Sequence, residues 1–546
     1  MSINKFEPAK PKVRERWNLS FLKGKDSFRS IMRSTFSMAV ATLISRILGF
    51  VRDVVLAKML GTGFQADAFY TGFKIPNLFR SLVGEGAMNS AVVPTLSGYV
   101  EKRNRATFWN FVSVFLKVMM IVLIVLTLAG IIFSPALVRI MVPGFVSDPV
   151  KFKMTIHLTQ IMFPYLLMTG IMAYFMAVLF TFRSFWVPMF SPTYLNISMI
   201  AGALICSGRM KEPVYGIAIA VVLGGIWQVI AHFPALKAAG FRYKKPKTMN
   251  HPGVIKIGKL LIPRVIGSGV YQLSIVIDSF CASLSTIVGM GGVSAIYYAN
   301  RIVQFPMGLF GVALASAVLP SLSLLVSRND MDSFRKTLAF SLENMYFVMA
   351  PMAVLIMVLA FPITRILFQR GLFDAYSTHI TAWALCFSAL GLFTFGGIKI
   401  LVSAFHALAD TKTPVWVAFW CLVINTILNF VLMYPFKVGG IALASSIAGT
   451  VDFAVLFLVL RKRLGGLKSD LRWYWIKVTF VCILQGYLVW WLWKEWTLPW
   501  PWVKLFAVIA IGAIFYQAAC MLFKVQSAQK VWSTLIRKMT SNNVAV

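Results

Sequence analysis

Charge is scarce in this chain, and negative charge scarcest: 13% of its 546 residues are charged, with 18 Asp and Glu against 53 Lys and Arg. Soluble globular domains carry about 25% charged residues, so that class is excluded. The six cysteines (Cys206, Cys281, Cys386, Cys421, Cys482 and Cys520) fall far apart in apolar segments, without a CxxC or a Cys/His cluster. Neither a disulfide framework nor a zinc site is implied. The five histidines (His157, His232, His251, His379 and His406) are dispersed. There is no HExxH, no pair of catalytic carboxylates and no GxxxxGK[ST] phosphate loop, so nothing points to an enzyme or to a nucleotide-driven pump. The chain opens on the polar, basic KFEPAKPKVRERW instead of a short apolar stretch with a small-residue cleavage site, and no removable signal peptide is expected.

What is abundant is apolar side chain, at 59% of residues, with 14% aromatic. Apolar runs of about 20 residues recur along the chain, each long enough to cross a bilayer core of about 30 Å as a helix. Divided at charged and Pro/Gly-rich breaks, they give about fourteen spans, and the expected fold is an all-α polytopic membrane protein. The first, second and seventh spans (34–59, 66–97 and 259–286) carry charges that a lipid-facing helix would not tolerate. If the amino terminus is cytoplasmic, inside segments hold about 33 Lys and Arg and outside segments about 10, which places both termini inside. The inside clusters include KRNR at 102–105, KKPK at 244–247 and RKR at 461–463. The net charge of +35 is therefore mostly a property of loops, not of a nucleic-acid-binding domain.

The segment SAVVPTLS at 90–97 recurs as SAVLPSLS at 316–323, and Lys74–Ile75 recurs as Arg301–Ile302 after a one-residue slip. The second span thus corresponds to the eighth, and an even separation preserves orientation. Two parallel six-helix lobes are expected, related by an axis along the membrane normal as in transporters. The predicted organisation is a basic tail (1–30), a first lobe (31–240), a basic loop (241–258) and a second lobe (259–465). Two additional helices (466–525) and a tail (526–546) follow.

A charged residue at the centre of a membrane helix costs about 2.5–3.5 kcal/mol and is retained where it faces a polar interior. Here such residues are Arg46, Arg52 and Asp53 in span 1, Asp67, Lys74, Arg80 and Glu85 in span 2, Arg264 and Asp278 in span 7, Arg301 in span 8 and Lys399 in span 10. Tyr70, Lys74, Asn77, Ser81, Gly84 and Met88 follow one helical stripe, and Arg301, Gln304, Gly308 and Gly311 form its counterpart. A basic face flanked by glycines suits an anionic headgroup, because arginine's fork donates two hydrogen bonds to a phosphate. The alternative for the acids is ion pairing that locks helices together, such as Arg52 with Asp53 or Arg80 with Glu85.

The segment SRILGFVRDVVLAKMLGTGFQADAFYTGFKIPNLFRSLVGEGAMNSAVVPTLSGY (45–99) resembles the MurJ (MviN) family of lipid II flippases, within the superfamily of multidrug and oligosaccharidyl-lipid exporters. Further agreement lies in FSPTYLNISMI (190–200), IPRVIGSGVYQLSIVID (262–278) and YYANRIVQFPMGLFGVALASAVLPSLS (297–323). The resemblance implies transport of the undecaprenyl-diphosphate-linked disaccharide pentapeptide, lipid II, from the inner to the outer leaflet of the bacterial cytoplasmic membrane by alternating access. The family's headgroup arginines match Arg46, Arg52, Arg80 and Arg301, and further positions of functional importance match Asp53, Asp67, Lys74 and Glu85. Spans 13 and 14 would form a groove for the polyprenyl tail.

Some family members hold sodium at positions that match Asp278, Asn425, Asn429, the carbonyl of Ile441 and Ser445. The chain departs at Asn429, where the sodium-binding pattern has an acid, leaving Asp278 as the one formal anion of the set. Asn425 and Asn429 lie one turn apart and read equally well as a hydrogen-bonded pair packing span 11 against span 7. Sodium is thus a possible ion and no other cofactor is implied. A drug/cation antiporter would need acids in its cavity, which the basic excess opposes. Export of another polyprenyl-linked glycan differs only in the sugar and stays open. The energy source must be an ion gradient or the membrane potential, the latter worth about 2.3 kcal/mol per charge per 100 mV.

Overall fold

A computed structural model describes residues 27–81, 86–102, 105–246, 248–249, 251–467 and 470–529, with side chains over the same stretches apart from 27–36, 86–91, 101–102, 105 and 262–268. Among the described residues there is no strand. The chain begins with α1 (Ser27–Leu60), α2 (Phe64–Arg80), α3 (Gly86–Lys102), α4 (Arg105–Ile132) and α5 (Ser134–Met141). A 3-10 turn (Pro143–Ser147) leads to α6 (Pro149–Met162), α7 (Pro164–Thr181), α8 (Trp186–Phe190), α9 (Pro192–Cys206) and α10 (Pro213–Ala238). Next come α11 (Pro252–Ser283), α12 (Ser285–Val288), α13 (Gly292–Pro306), a π turn (Met307–Gly311), α14 (Val312–Ser327), α15 (Met331–Val358) and α16 (Ala360–Phe368). The rest is α17 (Ala375–Leu390), α18 (Leu392–Ala407), α19 (Lys412–Phe436), α20 (Val438–Arg463), α21 (Leu471–Glu495) and α22 (Pro501–Leu522).

Proline opens α6, α7, α9, α10, α11 and α22, where its missing N–H would have had no intrahelical partner. Several of the scarce acids cap helices. Asp148 accepts from the amides of Val150 and Lys151, Asp330 from Ser333, Asp374 from Ser377 and Asp410 from Lys412 and Thr413; each satisfies amides that the first turn leaves open.

Among the described residues ten helices are long and apolar enough to cross a membrane, or eleven with α17 and α18, which meet at 42°. The expected fourteen is not reached on that criterion. The three remaining segments lie on α1, on α2 with α3, and on α11, long helices whose charges lower their apolarity.

The contacts divide the chain into two units, residues 1–52, 72–135 and 157–268, and residues 53–71, 136–156 and 269–546. These are not the two repeats, since the boundaries fall within α1, α2, α5, α6 and α11. The core of the first unit joins Val92 and Leu96 of α3, Phe108 to Leu123 of α4 and Ala173 to Leu179 of α7. In the second, α19 and α20 form a hairpin turning at Lys437, and α21 and α22 pack on α15 through Val478, Cys482, Tyr516 and Phe347. Gln485 of α21 is wholly buried and neither of its amide atoms has a hydrogen-bond partner.

Two glycine turns in the second unit lie back to back. Gly61 and Gly371 have φ of +58° and +62°, and a Cβ on either would come within 2.3 Å of the other turn's backbone, at Leu372 O and Lys58 O respectively. The Leu372 amide donates to Lys58 O at 2.8 Å. Only glycine combines this backbone conformation with this approach.

Candidate functional site

In the second unit, α1 contributes Asp53 and α13 contributes Arg301. Arg301 Nε lies 3.0 Å from Asp53 Oδ2, with the Asp53 side chain 2% exposed and that of Arg301 33% exposed. One turn before Arg301, the Tyr297 hydroxyl donates to Asp53 Oδ1 at 3.2 Å and accepts from Arg301 Nη2 at 2.9 Å. The guanidinium also stands 5.0 Å from the centre of the Tyr297 ring. Arg301 is therefore a compensated cation with part of its fork still accessible.

Asp67 of α2 is the second buried acid. Its Oδ2 pairs with Lys151 Nζ at 2.8 Å, and Lys151 also lies over the Phe145 ring. Its Oδ1 accepts from the Ser294 amide at 2.9 Å and the Ser294 hydroxyl at 2.8 Å. Ser294 stands in the first turn of α13, whose own cap position, Gly291, has no side chain to offer. Asp67 thus caps α13 from a distant part of the chain and meets the positive end of its dipole.

These contacts also reveal the repeat. In the register that sets Lys74 on Arg301, Asp67 falls on Ser294 and Tyr70 on Tyr297. Both equivalent pairs touch: Asp67 bonds Ser294, and the rings of Tyr70 and Tyr297 stack with centroids 3.9 Å apart. Tyr70 donates to the Tyr298 hydroxyl, which donates to Gly61 O.

The remaining candidates are dispersed. In the first unit, Arg52 is 4% exposed and donates from Nη1 to Asn196 Oδ1 at 3.0 Å, while Asn196 Nδ2 donates to Ser45 O. Arg46 is exposed, Lys74 and Arg80 are half-buried, and Arg80 bonds Asn77. Lys399, on α18 in the second unit, is exposed. Glu85 and the Arg264 side chain lie outside the described residues. The stripe expected from Arg301 through Gly308 and Gly311 is corrected: both glycines fall in the π turn, whose wider step takes them off the α-helical register.

The candidate ion site assembles in the second unit from α11, α19 and α20. Asn429 Nδ2 donates to Asp278 Oδ1 at 2.8 Å and to Asn425 Oδ1 at 3.3 Å. Ser445 Oγ donates to Asp278 Oδ2 at 3.3 Å and accepts from Asn425 Nδ2 at 3.2 Å. Ile441 is buried one turn before Ser445. Asn429 Oδ1 is buried without a hydrogen-bond partner, a vacant acceptor beside a carboxylate. This all-oxygen donor set fits a hard monovalent cation.

Sequence reasoning missed Lys151, Ser294, Tyr297 and Asn196. Tyr297 could have been found one turn before Arg301, and Ser294 by carrying Asp67 through the repeat register. No local signal marks Lys151 or Asn196.

An all-helical chain with many membrane-length helices and charged side chains buried inside them is a multi-pass membrane protein of the transporter type. The family described as "Lipid II flippase MurJ" matches residues 56–511. A lipid II flippase MurJ of Burkholderia cenocepacia is 34% identical over 438 residues, covering 80% of this chain and 84% of that protein. The solved structure of a lipid II flippase MurJ in an inward closed conformation superposes with a TM-score of 0.76 at 25% identity, over 89% of this chain and 98% of that one. An inward-facing multidrug transporter of the MATE family shares the fold at a TM-score of 0.66, 12% identity and coverage of 79% and 98%. The chain belongs to the MurJ lipid II flippase family.

Proposed function

We propose that this protein is a lipid II flippase of the bacterial cytoplasmic membrane, moving the undecaprenyl-diphosphate-linked precursor from the inner to the outer leaflet for cell wall synthesis. The observation that carries the site reading is Arg301, a guanidinium held within a membrane helix by Asp53 and Tyr297 but one-third exposed. A diphosphate offers the fork more acceptors and more charge than a single carboxylate. It can therefore compete with Asp53 for Arg301, and the loss of that pair loosens α1 from α13. Arg46, Arg52, Asp53, Asp67, Lys74, Arg80, Glu85, Arg264 and Lys399 are the further residues assigned to headgroup binding on the family resemblance and on their charge within spans.

With both termini in the cytoplasm, as the loop charges favour, the cluster around Asp53, Asp67, Lys151 and Ser294 belongs to the outer half of the molecule. Its ion pairs hold that half together until the headgroup arrives. The groove of α21 and α22 takes the polyprenyl tail among bilayer lipids. Asp278, Asn425, Asn429, Ser445 and the Ile441 carbonyl hold sodium, which biases the equilibrium only through unequal affinity for the two states.

The test is complementation of a strain depleted of its own lipid II flippase. Growth with the wild-type chain and none with Arg301→Ala at equal membrane abundance is expected. Failure of the wild type, or full growth with Arg301→Ala, overturns the corresponding part of the reading.

A further inference from the structure

The seam between α19 and α20 carries a polar line that continues past the Asp278 cluster. On α19, Cys421, Asn425 and Asn429 recur every four residues and share a face; on α20, Ser445 and Asp452 are seven residues apart, two turns along one face. The two helices are antiparallel neighbours. The line therefore runs from Asn429 and Ser445 down to Cys421 and Asp452.

Asp452 lies well inside α20 and is half-buried; its Oδ1 is enclosed with no hydrogen-bond partner. The residues one turn away on its own helix, Ala448, Gly449, Val455 and Leu456, are apolar and offer no donor. The helices packed against α20 bring the following charged or titratable groups: Lys412, Cys421 and Tyr434 on α19, Arg301, Tyr297 and Tyr298 on α13, His379, Tyr376 and Cys386 on α17, and Lys399 and His406 on α18. Near Trp475, where α21 meets Phe453 and Phe457, there are also Arg472, Tyr474, Lys477 and Cys482; Lys412, Arg472 and Lys477 are exposed. Arg301 is engaged by Asp53, and Lys399 is exposed. A carboxylate in an apolar span without donor or counter-charge is disfavoured as an anion, and protonation removes the conflict.

We propose that Asp452 is a proton-binding site, exchanging its proton with water as the second lobe changes state. The step is acid–base alone. The O–H bond at the carboxyl breaks, the proton passes to water, the carboxylate keeps the electron pair, and re-entry reverses it. The coupling to a change of state rests on the transport reading, whereas protonation is observable in the resting protein.

Infrared difference spectra of the full-length protein in lipid nanodiscs, wild type minus Asp452→Asn, provide the measurement. A carboxylic-acid carbonyl band assigned to Asp452 is expected between about pH 5 and about pH 8. Cysteine-accessibility of the substrate-free cavity should depend on pH in the wild type, lose that dependence in Asp452→Asn and keep it in Asp452→Glu. Absence of the band across that range, or an unchanged pH dependence in a folded Asp452→Asn protein, overturns the proposal. Because neither readout needs lipid II, a failure to complement leaves both interpretable.

Discussion

At Asp53 and Asp67 each buried carboxylate meets a cation, Arg301 at 3.0 Å and Lys151 at 2.8 Å, whereas Asp278 accepts from the neutral side chains of Asn429 and Ser445, with Asn425 bonded to both of these. The first arrangement is neutral overall and expensive to break, because parting it strands a charge away from water. It suits a contact that must hold until a stronger anion displaces one partner. The second surrounds the carboxylate with neutral donors, the arrangement from which the proposed cation site is built. The same residue type thus does opposite work according to whether its neighbour carries a charge.

The largest effect should come from cutting the first arrangement. Arg301→Ala should abolish complementation and destabilise the protein by about 3 kcal/mol, since Asp53 stays buried without the Arg301 cation. The double variant Asp53→Asn/Arg301→Gln should regain most of the thermal stability without regaining transport. If the single variant melts like wild type in detergent, the pair is not what holds α1 to α13.

Asp67→Asn should cost somewhat less, because the Ser294 hydrogen bonds survive while Lys151 loses its counter-charge. Adding Lys151→Met should recover much of that loss. No recovery would mean that capping of α13, not the ion pair, dominates at Asp67.

For the second arrangement, replacing potassium by sodium should raise the melting temperature of the wild type, corresponding to at most about 2.7 kcal/mol at a sodium concentration near 100 Kd. Asp278→Asn should erase the difference, and Asn429→Asp, which adds an anion, should enlarge it. Equal melting in both salts would leave the asparagines as packing.

The smallest effect belongs to an acid outside the membrane-spanning segments. Asp410 is held below the usual carboxylate range chiefly by the Thr413 amide and hydroxyl, with Lys412 and Arg463 adding to them. Its folded pKa lies below the unfolded value of about 3.9, so its stabilisation is present above about pH 4 and lost as pH falls through the folded value. The small deficit of Asp410→Asn near neutral pH, read by thermal melting, should therefore close in acid. A deficit unchanged below about pH 3 would assign it to packing instead of charge.

Much of the architecture was legible because hydrophobic period and repeat are local properties of sequence. SAVVPTLS and SAVLPSLS both fall on helices, α3 and α14, each with an internal proline. Legibility failed where charge entered a span. Each segment that falls short on apolarity carries candidate site residues, Arg46, Arg52 and Asp53 on α1, Asp67, Lys74 and Arg80 on α2 and Asp278 on α11, although Arg301 and Lys399 sit on helices that do not fall short. Partner identity was less legible still. Asp67 finds Lys151 at a separation of 84 residues and Ser294 at 227, and Arg52 finds Asn196 at 144. Spacing arguments reach one or two helical turns, so they flagged the acids but not the groups that answer them. The π turn was missed for a related reason, since nothing in MGLFG announces a wider step.

The paired glycine turns have a mechanical consequence. Most helix contacts are cushioned, because side chains can change rotamer and absorb a small displacement. Between Gly61 and Gly371 there is no cushion: backbone faces backbone, and the Lys58 carbonyl is bound directly by the Leu372 amide. A shift at the α1–α2 turn must therefore be carried into the α16–α17 turn undiminished, or the joint must part completely. It behaves as a clutch, with an engaged and a disengaged position and no slip between them.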